Sequence, residues 1–365
     1  TPICSPTRTE LLTGRHSARM HITKALPGLP QEHPWARHKG PILSGGIPFS
    51  ARTLAEALKD QGYRTAHLGK WHVGMNYTVR DPKRMAKVRS EFGFDHTFHG
   101  FSSFQGDKSV TALTDEAIRF LGKDKEKPFF VYLAHQTVHT HCAAPGDVVK
   151  QYLTEKRKPS GGFPHEGINN ATYLAMIKHL DNETGRLLKT LEDTGLDKNT
   201  IVVFLSDNGG NTRVTTNGPL RRGKCTSYEG GIRVPMLVSW PGVIRAGSVW
   251  DQAVHASLDL YPTLLDAAGG QKKNGQVLDG KSLMPLLKEN GIVDRKALFW
   301  HAPHYLAQPG NHFRVTPHSA VRKGDFKLIE FFHDHFEYDE PARTAIRKAA
   351  DDYAPYPLDG ARYVP

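Results

Sequence analysis

Cysteine is scarce in this chain of 365 residues, which holds only Cys4, Cys142 and Cys225. Three cysteines cannot build a disulfide framework, and the odd count leaves at least one thiol with a separate task. Long apolar runs are missing too. Nothing approaches the ~20 consecutive apolar residues of a membrane span, and stretches such as Ile201 to Leu205 have the length of buried strands. The sequence also lacks a dense basic run, a zinc-finger cysteine spacing and an RNA-binding aromatic motif, so nucleic acid is not expected as a partner. It opens on Thr1-Pro2-Ile3-Cys4 with no initiator Met, no basic leader and no apolar leader segment. Any targeting signal is therefore expected upstream of this sequence.

What is present is positive charge. The sequence carries 48 Lys plus Arg against 37 Asp plus Glu, a formal +11 before its 20 histidines are counted. That balance favours anionic ligands over cationic ones. At about 150 residues per domain, the length suggests two units, one large and one small.

Helix and strand patterns alternate, the signature of an α/β fold with a mainly parallel sheet. Leu54, Ala57 and Leu58 at helical spacing predict a helix over 51–58, which Gly62 stops, and Tyr63 to Leu68 read as a strand. A helix over Thr114 to Leu121 leads into the strand Phe129 to Ala134. A longer one, Tyr173 to Leu191, puts Leu174, Ile177, Leu180, Leu187, Leu188 and Leu191 on one apolar face and feeds the strand Thr200 to Leu205. Polar residues follow all three strands. Ligands of open α/β sheets bind beyond the carboxyl ends of the strands, so Lys70, His72, His135, His139, Asp207 and Asn208 are expected to converge. After Leu287 the pattern changes: His301, His304 and His312 fall in a Pro- and Gly-punctuated region. Ser319 to Ile329 then reads as a hairpin around Lys323-Gly324-Asp325. The expected division is 1–290 for the large α/β domain and 291–365 for a small antiparallel subdomain, with residues beyond about Asp339 unassigned.

Cys4-Ser5-Pro6-Thr7-Arg8 followed by Leu11-Leu12-Thr13-Gly14-Arg15 resembles the sulfatase signature. Gly62-Tyr63-Arg64-Thr65 with Gly69-Lys70-Trp71-His72-Val73-Gly74 looks like the second signature of that family. Ser206-Asp207-Asn208-Gly209-Gly210, then Gly223-Lys224 before Glu229-Gly230-Gly231-Ile232-Arg233-Val234-Pro235, continue the order, and the resemblance spans roughly residues 1 to 330. It implies an alkaline-phosphatase-like fold. It also implies hydrolysis of sulfate esters by a formylglycine made from Cys4 by a maturation enzyme; the basic charge and the His301 to Tyr305 stretch favour a sulfated polysaccharide or oligosaccharide as substrate, with small aryl or other monoesters open.

A sulfate monoester is a weak electrophile with a poor leaving group, so its catalyst needs an activated nucleophile, cations on the sulfuryl oxygens and a proton for the leaving oxygen. By the resemblance, Arg8 and Lys70 hold the modified Cys4, and His72 takes the proton that releases sulfate from it. His139 and Lys224 contact the ester and sulfate oxygens, one of them as proton donor. Asp207 and Asn208, with the modified Cys4, would ligate one calcium ion, which suits their hard oxygens. An Asp-Asn-Gly-Gly run is also an ordinary tight turn, and the two roles are compatible. Val138 and His141 stand where the family pattern has prolines, so His141 is an alternative to His139. His301 to Tyr305 resembles a stretch of carbohydrate sulfatases that borders the sugar.

Family members bring two adjacent acidic metal ligands from a strand ahead of the cysteine motif, and this sequence contains no such segment. The expectation is a chain that starts downstream of that strand, from a protein acting in the periplasm or outside the cell. Two rival readings remain. One is a phosphatase or phosphodiesterase of the same superfamily using Thr7 or Ser5 with zinc; the other is a non-catalytic binder of sulfated glycans.

Overall fold

The computed structural model describes residues 1–26, 36, 38–74, 91–100, 106–124, 126–154, 170–212, 214–288, 291–308 and 312–332. Helix α1, Cys4–Thr13, is buried nearly all round, with only Leu11 reaching partial exposure. It ends because Gly14 turns to φ 63° and returns its N–H to the Glu10 carbonyl. A Cβ at Gly14 would lie 2.7 Å from Leu278, so only glycine fits this cap on both conformational and steric grounds.

Helix α2 runs Leu54–Lys59 rather than from Ala51. Thr53 sets the start: its Oγ1 accepts the Glu56 N–H at 3.2 Å while the Glu56 carboxylate accepts the Thr53 N–H at 2.7 Å, a reciprocal capping box. Strand β1, Arg64–Gly69, then pairs in parallel with β2, His96–Phe98, and with β3, Phe129–Ala134. Helix α3, Val110–Leu121, covers this sheet through Leu113, Ala117 and Phe120.

A short helix α4, Gly146–Lys150, precedes the long α5, Ala171–Asp193. The leucine face expected along α5 is not a buried face. Ile177 and Leu188 are 45% and 44% exposed, whereas Tyr173 and Met176 pack with Cys142 and Val214. The helix is seated at its two ends, by Tyr173 and Met176 and again by Leu187 and Leu191, so the periodic apolar residues between them lie at the rim. Strand β4, Val202–Leu205, was expected beside β1 and β3. Among the described residues it pairs only with β5, Met236–Ser239, and antiparallel to it.

Helix α6, Glu229–Ile232, helix α7, Ala256–Ala267, and helix α8, Met284–Leu287, complete the helical part. α7 packs on α1 and α2 through Tyr261 and Leu265. The C-terminal part is antiparallel: β6, Leu298–Ala302, joins the hairpin of β9, His318–Lys323, and β10, Phe326–Phe331. β7, Leu306–Gln308, pairs with β8, His312–Val315. The hairpin turns at Gly324, φ 56°, where Lys-Gly-Asp predicted it. Residues 333–365, which include the unassigned tail of the small subdomain, lie outside the described residues. No helix among the described residues is long and apolar enough to cross a membrane.

Candidate functional site

Cys4 sits at the first turn of α1 with 2% of its surface exposed. Two polar atoms reach its sulfur: Lys224 Nζ donates to Sγ at 3.4 Å, and the thiol donates to Asn208 Oδ1 at 3.5 Å. One turn on, Arg8 donates to Asp207 Oδ2 at 3.1 Å, to the Lys70 carbonyl at 2.8 Å and to the Tyr132 hydroxyl at 3.4 Å. Residues that are far apart in the chain therefore meet because α1 lies across the carboxyl ends of β1, β3 and β4.

Backbone packing fixes the two loops that deliver Asp207, Asn208 and Lys224. The Gly209 N–H donates to the Gly231 carbonyl at 2.9 Å and the Lys224 N–H to the Gly210 carbonyl at 3.0 Å. A Cβ at Gly209 would fall 1.8 Å from the Gly230 oxygen, so the Gly-Gly pairs in both loops are a condition of their contact. Thr7 Oγ1 donates to the Asp207 carbonyl at 2.7 Å, and the Cys225 N–H reaches the Pro2 carbonyl at 2.8 Å. The turn read from Asp207-Asn208-Gly209-Gly210 is thus built by backbone contacts to both neighbouring loops.

Charge is concentrated here. Burial opposes the ionised form of Asp207, but Arg8, Lys70 and Lys224 outweigh it and hold the carboxyl well below the usual carboxylate range. Burial pushes the Lys70 ammonium down. It also opposes the charge of Lys224, yet Cys4 and Asp207 overcome that and raise it. His72 is brought to about 3 by burial and the charge of Lys70. Its Nε2 donates to the Leu26 carbonyl at 2.7 Å, which leaves Nδ1 as the ring's acceptor. His139 is likewise brought to about 3 by burial, Lys224 and Lys70. Its Nδ1 donates to the Thr140 carbonyl, so Nε2 is the acceptor. The peptide bonds before Val138 and His141, the two positions expected to hold proline, are both cis.

Cys4, Arg8, Lys70, His72, His139, Asp207, Asn208 and Lys224 thus share one electrostatic neighbourhood. His135 does not join it. Burial and the neighbouring His179 take it to about 4, with Asp107 opposing, so it faces the α3 and α5 side of β3. The expectation failed because a strand end offers two faces and sequence alone does not say which one a side chain takes. Sequence reading also missed Tyr132 as a partner of Arg8 and Thr7 as a partner of Asp207; the first lies in a segment read only as strand, and the second was read only as a rival nucleophile. The rival hydroxyl nucleophiles are engaged elsewhere, Thr7 on the Asp207 carbonyl and Ser5 Oγ accepting the Leu26 N–H at 3.0 Å. His304 Nε2 lies 2.5 Å from Thr23 Oγ1, which places it beside the loop after α1, and His301 Nδ1 lies 2.7 Å from Ser319 Oγ of β9.

As for metal ligation, the Asp207 carboxylate and the Asn208 amide oxygen are hard donors of the kind calcium takes, and they face the Cys4 end of α1. The donor set fits a hard cation and supplies part of the six to eight oxygens such an ion accepts.

Comparison with known proteins follows this geometry. The family described as Sulfatase matches residues 1–270, and the one described as N-sulphoglucosamine sulphohydrolase, C-terminal, matches residues 223–341. A sulfatase of Formosa agariphila is 31% identical over 90% of this chain and 70% of its own length. N-acetylgalactosamine-6-sulfatase of Mus musculus is 29% identical over 84% of this chain, which spans only 61% of that enzyme. Among solved structures, Ps i-CgsB superposes with a TM-score of 0.70 at 27% identity, covering 91% of this chain and 74% of that one.

Proposed function

The chain belongs to the sulfatase family, and from that premise we propose that it hydrolyses sulfate monoesters on a sulfated polysaccharide or oligosaccharide, with Cys4 oxidised to formylglycine as nucleophile. The observation that carries the reading is the meeting of Lys224 Nζ and Asn208 Oδ1 on the buried Cys4 sulfur, backed by the Arg8–Asp207 pair. Sγ stands where the hydrated aldehyde would be, and that group, once made by a maturation enzyme, supplies a hydroxyl that attacks sulfur. Calcium, held through Asp207 and Asn208, would supply positive charge to the sulfuryl oxygens.

The residues then divide the work by their protonation states. Arg8 and Lys70 orient the side chain at position 4. Lys224 carries its proton throughout and holds a sulfuryl oxygen, since its charge is reinforced by its neighbours. His72 is neutral with Nδ1 as acceptor, the state needed to take a proton from the position 4 side chain when sulfate leaves. His139 is neutral until the anionic ester offsets the field of Lys224 and Lys70, and it then donates to the leaving oxygen. A carbohydrate substrate is supported by the names of the relatives, by the formal charge of +11 and by His304 beside the α1 loop. Action in a periplasm or outside the cell belongs to the same proposal, because polymers of this kind are met there.

The test is production of the protein with its natural flanking sequence and a maturation enzyme, mass analysis of the peptide containing Cys4, and assay on a panel of sulfated sugars. Formylglycine at position 4 and loss of turnover in Cys4→Ala are expected. Hydrolysis at the parental rate by Cys4→Ala would remove the mechanism.

A further inference from the structure

A second cluster of ligand-type side chains lies on α1 beyond the nucleophile. Glu10 is six residues on from Cys4, about 9 Å along the axis at 1.5 Å per residue. Its side chain, that of His16 after the helix and that of His255 before α7 each offer one ligand atom, and these atoms all lie within 4.8 Å of one another. We propose that Glu10, His16 and His255 form a binding site for a first-row divalent metal of the zinc class, separate from the Cys4 pocket.

Burial and hydrogen bonding carry the case. Glu10 is fully buried, and among the described residues no lysine or arginine comes within 4 Å of its carboxylate; His255 Nδ1 lies 3.8 Å from Oε2. A buried carboxylate and a buried imidazole facing each other at this distance present an oxygen and a nitrogen donor to one metal ion. His255 is 6% exposed, and the nitrogen it turns toward Glu10 is Nδ1, whose other near contact is the Ser257 hydroxyl at 3.4 Å.

The surroundings also have the form of an outer ligand shell. Glu10 Oε1 accepts the Ser17 N–H at 3.0 Å and Oε2 accepts the Ser257 hydroxyl at 2.7 Å, which orients the carboxylate and leaves a lone pair on each oxygen. His255 stacks on Trp300, with ring centroids 5.9 Å apart, and its backbone N–H donates to Asp259 Oδ2 at 2.8 Å. His16 is the half-buried member. Its ring nitrogens make two long contacts, 3.2 Å from Ala18 N and 3.3 Å from the Phe299 carbonyl, and its ring stands edge-on to His255. Zinc holds such donors at about 2.0–2.1 Å, so the three must draw together, and a rotation of His16 provides the movement. Two imidazoles with one carboxylate select zinc, cobalt or nickel over calcium. A metal there would tie α1 to α7 and to β6 behind the nucleophile.

The experiment titrates Co2+ into the full chain in excess Ca2+, reading its visible d–d absorption, and repeats this in His16→Ala, His16→Asp, His255→Ala and Asn208→Ala, with circular dichroism confirming each fold. Expected are one Co2+ per chain, displaced by Zn2+, a loss of affinity of at least about tenfold in His16→Ala and His255→Ala, retention in the ligand-preserving His16→Asp, and no change in Asn208→Ala. A signal undiminished in folded His16→Ala, a signal lost in Asn208→Ala, or no saturable Co2+ binding to the folded protein would each overturn the proposal.

Discussion

Lys224 and His139 stand in the same field and answer it oppositely, and that contrast gives the first prediction at the scale of the residue. Lys224 keeps its proton because Cys4 and Asp207 lie beside it, whereas His139 is kept neutral by burial and by Lys224 itself. Removing either should lower the rate by about two to four orders of magnitude, the range for deleting a charge-stabilising donor or a positioned acid. The two losses should differ in form. Lys224→Ala should fall at every pH, while His139→Ala should also lose the high-pH limb of the kcat profile, since that limb reports the proton His139 gains in the complex. Steady-state kinetics across pH checks this; a parental profile in His139→Ala beside an inactive His141→Ala would assign the contact to the exposed His141 instead. Most of the residues that meet around Cys4 were legible in the sequence because their motifs resemble a family pattern. The face on which a strand-end histidine emerges is decided by tertiary packing, and so His135 was read into a site it does not join.

Among elements, the short α2 contributes more to stability than its six residues suggest. Thr53 is fully buried, caps the helix, and also donates to the Phe92 carbonyl at 2.8 Å, so one hydroxyl joins α2 to the segment leading into β2. Thr53→Ala should destabilise the protein by about 1–2 kcal/mol, the upper part of the range for an N-cap, measured as a drop in the denaturant midpoint at unchanged slope. Thr53→Ser, which keeps the acceptor, should recover most of it. An alanine variant as stable as the parent would mean that the capping box contributes nothing here. The box was present in the sequence as Thr53-Leu54-Ala55-Glu56, yet periodicity alone carried the helix back to Ala51. Strands β1, β3 and β4 were legible from apolar runs after helices. β2 and β5 were not, because three or four residues hold too little pattern, and β5 directly follows a motif that was read for its chemistry. The leucines of α5 show the opposite error: their spacing is helical, but burial depends on what lies across from them.

At the scale of the whole molecule, the histidines set the response to acid. Burial, with help from neighbouring cations at several of them, brings His72 and His139 to about 3 and His135, His255 and His304 to about 4, against an ordinary 6.5. A group whose folded pKa is depressed binds more protons unfolded than folded throughout the interval between the two values. Stability therefore rises with pH across that interval, is fully present above about 6.5 and is lost as pH falls toward 4. Each such histidine adds up to about 1.4 kcal/mol per pH unit to the slope, so several acting together outrun the 5–15 kcal/mol that holds a typical domain. The depressed carboxylates, Asp207 and Glu10, act in the same direction but only nearer pH 4 and below, since their unfolded values lie there. Thermal unfolding should show Tm nearly flat from pH 7 to 8 and falling steeply below pH 6, well before carboxylates titrate. Replacing His304, which lies outside the Cys4 cluster, by Gln should make that fall shallower, because a neutral side chain at position 304 removes one proton from the unfolded state's advantage. A Tm independent of pH between 6.5 and 4.5 would show that these histidines are protonated in the folded protein, and the neutral states assigned to His72 and His139 in the proposed mechanism would go with it.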